Sequence, residues 1–346
     1  MNRRRVFVLL MTGTVIVLCV ASTAWLFNSS VVSKTDGKFH DVEIPFGLPL
    51  NAIMDQMSKH GTLTGSFRPK VVARLLGVEN QIKAGRYEIK GGLSSYELLQ
   101  LLVHGKTKVE WVTIPEGLPA RDIAGIVSRR LEVDSTKFLS LVNDSSLVRS
   151  LGIETNSLEG FLFPETYGWH WGMSEEQILR TMVAEFNRQV TDSLRRAVSR
   201  SGYSFIELLT LASIIEGEAM VDSERVIISG VYHNRLKRGM LLQADPTIQY
   251  IVAGRPRRLL NRDLEIDSPY NTYKYAGLPP GPINNPGLAS IVASIFPADV
   301  QYLYFVAAGD GSHTFSRTLS EHLKAKARFN RIRKRTKGRR SREKNG

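Results

Sequence analysis

The chain has 346 residues, of which 42% are hydrophobic and 23% are charged. These values exclude a wholly disordered protein, and the length predicts roughly two or three domains. The net charge of +13 is concentrated in 324–344, which holds twelve Lys and Arg and one acid. Because the rest of the chain carries only +2, the charge does not indicate a nucleic-acid-binding surface on the folded body.

The N-terminus has the composition of a membrane anchor. Three arginines within residues 1–5 precede an uncharged, apolar stretch at 6–27. The 22 residues of that stretch would span about 33 Å as a helix, enough to cross a bilayer core of about 30 Å. Basic residues before the span predict that 1–5 is cytoplasmic and that the rest lies outside the cytoplasm. A cleaved signal peptide, with a weak cleavage site at 21–24, is the alternative.

An internal repeat follows a predicted polar linker at 28–40. Residues 42–53 and 112–123 share the pattern V-x-I-P-x-G-L-P-x-x-x-I. Each copy predicts a strand, a Pro/Gly turn and the start of a helix. With the strand and capped helix predicted between the copies, the pieces suit a small LysM-like β/α carbohydrate-binding module at 41–110. The alternative is that two similar turns arose within one α+β domain.

Helical periodicity dominates from about residue 120 and predicts a mixed α+β domain at 111–325. The predicted helices cover 120–131, 135–144, 174–200 and 204–221. Residues 241–287 are rich in Pro, Gly, Asn and Tyr and predict a long functional loop region. A strand at 302–309 and a helix from about Ser320 complete the domain. The basic segment 326–346 is predicted to be a solvated tail, with contact to an anionic partner left open.

The catalytic candidates are carboxylates. The seven histidines lack the paired spacing of a metal site, and no G-x-S-x-G or phosphate-loop pattern occurs, so neither metal nor cofactor is predicted. Thiol catalysis is excluded because the single cysteine, Cys19, lies in the apolar span. Glu216 ends an apolar helical run, which is expected to raise its pKa toward the value of about 6–7 that suits a general acid. An exposed or helix-capping carboxylate is the alternative.

Aromatic rings beside amides, hydroxyls and carboxylates suit sugar binding. Rings stack on the apolar face of a pyranose, while the polar groups bind its hydroxyls. The predicted substrate-binding residues are Asn234, Gln243, Asp245, Thr247, Tyr250, Tyr270, Asn271 and Tyr273. Scaffolding of Pro/Gly-rich loops is the alternative for some of them, and Asp245 could instead cap the turn before Pro246.

Five motifs, in this order, resemble the MltG (YceG-like) family of endolytic murein transglycosylases over about residues 110–325. They are LEGFLFPETY, LASIIEGEA, ERVIISGVYHNRLKRGMLLQADPTIQY, SPYNTYKYAGLPPGPINNPG and GDGSHTF. In that family the first Glu of the A-S-I-x-E-x-E motif is taken as the catalytic residue, which corresponds to Glu216 here. Gly217 departs from the family, in which a Lys is common at this position.

The resemblance implies an enzyme anchored in the bacterial plasma membrane and facing outward. It would cut the MurNAc-β-1,4-GlcNAc bond of nascent peptidoglycan strands, leave 1,6-anhydro ends and so end strand growth. Partnership with peptidoglycan synthases follows from the resemblance alone, and no nucleic-acid partner is expected. One carboxylate can suffice because the C6 hydroxyl of the substrate is the nucleophile.

Three other functions remain open from the sequence. A muramidase would use water and a second carboxylate, Glu224 or Asp245. A non-enzymatic wall-binding scaffold would act through the LysM-like half. A nucleic-acid binder would use the basic tail, which the predicted orientation of the anchor disfavours. Glu218 lies about 200° around the helix from Glu216, so the two cannot point equally into one site, and its contribution stays open.

Overall fold

The computed structural model describes residues 3–34, 39–45, 47–105, 107–252, 254 and 257–343, and their side chains from residue 11 to 333. Parts of five predicted segments therefore lie outside the described residues: 1–2 of the cytoplasmic segment, 35–38 of the linker, 46 and 106 of the module at 41–110, 253 and 255–256 of the loop region at 241–287, and 344–346 of the tail. The chain is mixed α+β and divides into two compact units. The first comprises Met1–Val112, Arg130–Glu132 and Gly168–Met173, and the second comprises Thr113–Arg129, Val133–Tyr167 and Ser174–Gly346.

The helices and strands, in chain order, are α1 (Arg3–Asn28), β1 (Phe39–Ile44), α2 (Leu50–Lys59), α3 (Phe67–Leu76), β2 (Gly85–Lys90), α4 (Ser95–His104), β3 (Val109–Thr113), α5 (Ala120–Leu131), α6 (Ser135–Val142), α7 (Ser145–Ser150), β4 (Thr166–His170), α8 (Glu175–Gln189), α9 (Asp192–Ser201), α10 (Phe205–Glu218), α11 (Arg225–Lys237), α12 (Asp245–Ile251), α13 (Leu288–Ile295), β5 (Tyr304–Ala307), β6 (His313–Ser316) and α14 (Leu319–Glu343). The strands pair as β1 with β2, β3 with β4, and β5 with β6.

The α1 helix is long and apolar enough over Met11–Asn28 to cross a membrane. Its side chains from 11 to 25 are exposed in the isolated chain. An uncharged stretch of helix with exposed apolar side chains is typical of a lipid-facing segment, because exposure of those side chains to water is unfavourable. The N-terminal helix is therefore compatible with a single-pass membrane protein.

The first unit packs three helices against a two-stranded sheet. β1 and β2 are antiparallel, with Val42 opposite Tyr87. Their inward side chains join α2, α3 and α4 in one buried cluster, which the apolar spacing of the three helices supplies. Ser94 and Glu97 form a reciprocal capping box that fixes the start of α4. The order β1-α2-α3-β2 fits a small β/α module, and its LysM-like identity stays a prediction.

The predicted linker at 28–40 contains residues that pack into the first unit. Val31 and Val32 are fully buried in the core of the first unit. Their neighbourhood is fixed by isolated β-bridges, Ser30 with Ser94 and Val32 with Leu63. The segment reads as a linker in sequence because it is short and polar at both ends, whereas two adjacent valines bury enough apolar surface to hold it in place.

The second unit is built around α10. Every side chain from Leu208 to Ile215 is buried, which explains why this helix lacks a polar face. It packs on α11, α12 and α13. The following Pro/Gly-rich segment is tied to it, because the Ile283 N–H donates to the Ser213 hydroxyl at 3.0 Å and the Asn284 amide donates to the Ser213 carbonyl at 2.8 Å. These bonds position the loop beside the carboxylates that end α10.

Three sequence predictions need revision in the second unit. The helix predicted at 174–200 is two helices, because Thr191 has extended backbone and is the N-cap residue just before α9. The predicted loop region at 241–287 contains the short helix α12. The basic residues after 325 are helical as far as Glu343 in α14, since Lys and Arg favour helix.

Candidate active site

The two glutamates at the end of α10 have different surroundings. Glu216 lies in its last turn and Glu218 is its last residue. The side chain of Glu216 is 6% exposed and lies 3.2 Å from Nη1 of Arg225. Its other carboxylate oxygen accepts the Gly287 N–H at 3.1 Å. Both oxygens of Glu216 are therefore used to join α10, α11 and the start of α13.

Arg225 is the centre of this cluster. Its guanidinium also donates to the Ser290 hydroxyl at 2.7 Å and lies 3.2 Å from an Asp222 oxygen. Glu116 approaches it at 3.9 Å. Burial raises the pKa of Glu116, and the negative charge of Glu216 raises it further. Three carboxylates therefore surround one guanidinium, an arrangement typical of a structural ion-pair network.

Glu218 has the environment of a proton donor. Burial raises its pKa to about 7, and the negative charge of Asp245 is the next cause. The Tyr232 hydroxyl donates to its Oε1 at 3.2 Å, which opposes that shift only in part. A carboxyl group with a pKa near 7 is protonated in a useful fraction of molecules at neutral pH.

Asp245 and Tyr273 lie beside Glu218. The Tyr273 hydroxyl donates to Oδ1 of Asp245 at 2.5 Å, leaving the other oxygen free of this bond. Burial raises the pKa of Tyr273 well above its usual value, and Asp245 adds to the shift. Gln243 precedes them with a φ of +51°, an unusual conformation for a residue other than glycine and one that often marks a functional site.

Two cavities meet at Glu218 and Asp245. One has a volume of about 290 Å³ and is also lined by Arg121, Gln249 and Tyr250. The other has a volume of about 470 Å³ and is lined by residues of α11, β5, β6 and α14. A chain-like ligand that occupied both cavities would present the bond between its two parts to these carboxylates. Glu216 lines neither cavity.

Five of the eight predicted sugar-binding residues lie at or beside these cavities. Gln243 and Tyr273 line the larger cavity, Tyr250 lines the smaller one, and Asp245 lines both. Tyr270 contacts the Tyr250 ring, with ring centroids 5.1 Å apart. The aromatic and polar groups are therefore placed where a saccharide could stack and bind.

The other three predicted binders make internal bonds. The Asn234 amide donates to the carbonyls of Val300 and Tyr302. The Thr247 hydroxyl is fully buried and donates to the Ala244 carbonyl. The Asn271 amide is also buried and donates to the carbonyls of Leu264 and Ile266. These side chains donate hydrogen bonds to backbone carbonyls of irregular segments. Because such buried carbonyls need a donor, the three side chains are turned inward and are not presented to a ligand.

Sequence reasoning did not single out several groups around the site. Arg121 comes from α5, 129 residues before Tyr250, and its guanidinium carbon lies 5.6 Å from the centroid of the Tyr250 ring. Glu159 binds the Ala120 N–H and the Asn285 amide, and burial raises its pKa to about 8. In the sequence, Arg121 and Glu159 are marked only by lying within recurring or family-like motifs. Their closeness to the other site residues depends on tertiary contacts, which the sequence does not display. Within the described residues, no group of three or more His, Cys, Asp or Glu could hold a metal ion.

The fold and these motifs define a member of the YceG-like family. The family model matches residues 42–328, and the chain belongs to that family.

Named relatives agree with this assignment. The chain is 33% identical to the endolytic murein transglycosylase of Bacillus subtilis (strain 168) over 325 residues, covering 88% of this chain and 90% of the relative. It is 29% identical to a protein of the same name from Streptococcus pneumoniae, covering 85% of this chain and 60% of the relative. The crystal structure of a yceG-like protein from Listeria monocytogenes matches with a TM-score of 0.58 and 31% identity, covering 84% of this chain and 99% of that one.

Proposed function

We propose that this protein is an endolytic peptidoglycan lytic transglycosylase. It cleaves the MurNAc-β-1,4-GlcNAc bond of glycan strands and leaves 1,6-anhydro-MurNAc ends. The names of the B. subtilis and S. pneumoniae relatives support the substrate and the reaction. The observation that carries the assignment to a site is a partly buried carboxyl group, with a pKa of about 7, at the junction of two cavities.

We assign the acid to Glu218 rather than to Glu216, which the sequence motif favoured. A general acid must carry a proton and reach the substrate. Glu218 lines both cavities, whereas Glu216 binds Arg225 and the Gly287 N–H. The role of Glu216 in this proposal is to hold α11 and the start of α13 against the catalytic helix. The original choice of Glu216 remains a prediction that a paired mutation decides.

The reaction uses one carboxyl group twice. Glu218 gives its proton to the glycosidic oxygen as the C1–O bond breaks, and the GlcNAc unit leaves with a C4 hydroxyl. The Glu218 carboxylate then takes the proton of the muramic C6 hydroxyl as O6 bonds to C1, so water is not consumed. The negative charge of Asp245 would stabilise positive charge that develops at C1. Holding O6 near C1 replaces a bimolecular attack with an intramolecular one.

The N-terminal helix and the module at 41–110 indicate where in the cell the enzyme acts. The α1 helix anchors the protein in the bacterial plasma membrane with a cytoplasmic N-terminus and an extracytoplasmic catalytic domain at 111–325. Residues 41–110 form a LysM-like glycan-binding module. Anchoring limits cleavage to nascent strands near the membrane, so each cut ends the growth of a strand, and peptidoglycan synthases are the expected partners.

The paired variants Glu218→Gln and Glu216→Gln test the assignment. Both keep side-chain shape, and purified glycan strands are analysed for new ends by mass spectrometry. Glu218→Gln should lower the formation of anhydro ends by at least about 100-fold, the usual minimum for a lost general acid. Glu216→Gln should mainly lower the melting temperature, because it removes one partner of a buried ion pair.

Each other outcome has a clear meaning. An active Glu218→Gln protein beside a folded, inactive Glu216→Gln protein would return the acid to Glu216. Hydrated reducing ends from the wild type would indicate a muramidase, with Asp245 or Glu224 as second carboxylate. Binding of strands without any new ends would indicate a wall-binding scaffold.

A further inference from the structure

The larger cavity has basic groups that the proposed cleavage does not use. Arg235, His322 and Lys326 line it, together with Glu218 and Asp245. We call these three basic residues the basic wall. His322 and Lys326 are one helical turn apart on α14, and therefore project from the same side of that helix.

Arg235 is a buried cation whose side-chain hydrogen bonds go to backbone carbonyls, and the charge of nearby Glu218 only partly offsets the effect of burial on its pKa. Its Nε donates to the Leu303 carbonyl at 2.7 Å, and its Nη1 donates to the carbonyls of Leu241 and Leu242. Within the described part of the chain, no carboxylate lies at ion-pair distance from it. Burial lowers the pKa of Arg235, so its charge is costly and would be stabilised by an anion in the cavity.

His322 has an unused hydrogen-bonding atom. Its ring stacks on Tyr304 with ring centroids 5.3 Å apart. The guanidinium carbon of Arg235 also lies 5.3 Å from the centroid of the Tyr304 ring. The Nδ1 atom of His322 is buried, and it has no hydrogen-bond partner among the described residues. A buried polar atom of this kind usually indicates a missing partner.

We propose that the basic wall binds a carboxylate carried by the muramyl unit of the substrate, and that α14 thereby selects which glycans are cleaved. This inference rests on the proposed function. The sugar rings of the glycan carry no charge, whereas the lactyl group of each muramic acid ends in a carboxylate or in a peptide stem that carries carboxylates. Lys326 supplies a mobile charge, Arg235 supplies fixed guanidinium donors, and His322 donates in the tautomer that carries its proton on Nδ1.

The variant Lys326→Ala in the full chain tests the proposal, with Lys324→Ala as its control. Lys324 is an exposed basic residue of the same helix that does not line the cavity. Cleavage is measured on strands with intact stems and on strands whose stems have been removed to leave the lactyl carboxylate. Lys326→Ala should raise KM about tenfold with little change in kcat. The difference in KM between this variant and the wild type should shrink at high salt, because salt screens the charge of Lys326. Lys324→Ala should match the wild type.

The substrates separate the two sources of the carboxylate. If Lys326→Ala raises KM only on stem-bearing strands, the basic wall binds a carboxylate of the peptide stem. If it raises KM on stem-free strands, the basic wall binds the lactyl carboxylate. Equal KM values for Lys326→Ala and Lys324→Ala on both substrates would overturn the proposal.

A binding measurement separates this inference from the proposed function. The affinity of Glu218→Gln for both kinds of strand is measured with and without Lys326→Ala. Lys326-dependent binding, with no anhydro ends from the wild type, would refute the transglycosylase and keep the carboxylate site. Anhydro ends from the wild type, with binding that does not depend on Lys326, would keep the enzyme and refute the site.

Discussion

At the scale of single residues, position within a helical turn decides the chemistry of two similar glutamates. Glu216 and Glu218 are separated by one glycine, yet one binds Arg225 and the other lines two cavities. The angular separation of these residues was predicted from helix geometry. Helix geometry did not predict which face of α10 meets the cavities, because that depends on where α12 and the loop after it pack.

The pKa of Glu218 predicts the pH dependence of cleavage. A general acid acts in its protonated form, so kcat/KM should fall as the pH rises above about 7, approaching tenfold per pH unit. Asp245→Asn removes a negative charge that raises the pKa of Glu218, and should move this alkaline limb to lower pH whatever its effect on the maximal rate. An alkaline limb that stays in place in Asp245→Asn would contradict the coupling of the two groups.

At the scale of elements, close approach of the backbone determines where α11 can lie. Gly230 is in the middle of this helix, and a Cβ there would lie 2.6 Å from the Ala298 carbonyl oxygen and 2.7 Å from Val300 Cγ2. The neighbouring atoms include backbone, which cannot rotate away. Glycine is therefore required at this position, although from the sequence alone it looks only like a residue with low helix propensity.

Two helical glycines should respond in opposite directions to alanine. Gly230→Ala should destabilise the protein by about 1–3 kcal/mol, as overpacking does. Gly125→Ala in α5 is the control, because only the end of the flexible Arg129 side chain lies near, at 3.4 Å. That change should stabilise by about 0.5–1 kcal/mol. Thermal unfolding of the two variants measures the difference, and equal melting temperatures would contradict the close packing of α11.

At the scale of the whole molecule, charge and hydropathy separate functions along the chain. The apolar α1 helix lies at one end, and the basic residues of α14 lie at the other. The basic end is part of a helix that contributes His322 and Lys326 to a cavity. The net charge of +13 thus includes groups placed at a site as well as groups that only keep the chain solvated.

The anchor predicts an uncleaved protein in the membrane fraction. Mass spectrometry of the protein isolated from membranes should find residues 1–27 still attached, because the apolar stretch exceeds the roughly 7–15 residues of a signal-peptide core. Removing 1–27 should release the protein into the soluble fraction while leaving the cleavage of purified strands intact. A mature N-terminus near residue 24 would contradict the anchor and support the signal peptide.

The sequence alone determined much of the fold, because local patterns specify local structure. The helix predicted at 120–131 matches the bounds of α5, and the repeated pattern forms a strand, a turn and a helix at both copies. The motif order also led to the YceG-like family. Capping residues and apolar periodicity need only a few neighbouring residues to act.

Only the tertiary structure decided which polar residues face a ligand. Gln243, Thr247 and Asn271 look equally suitable in sequence, yet Gln243 lines a cavity while the other two are buried and bind backbone groups. The same reason explains why Arg121 and the basic wall were missed. Burial and proximity depend on contacts between distant segments, and these contacts set both the pKa of a carboxyl group and its access to substrate.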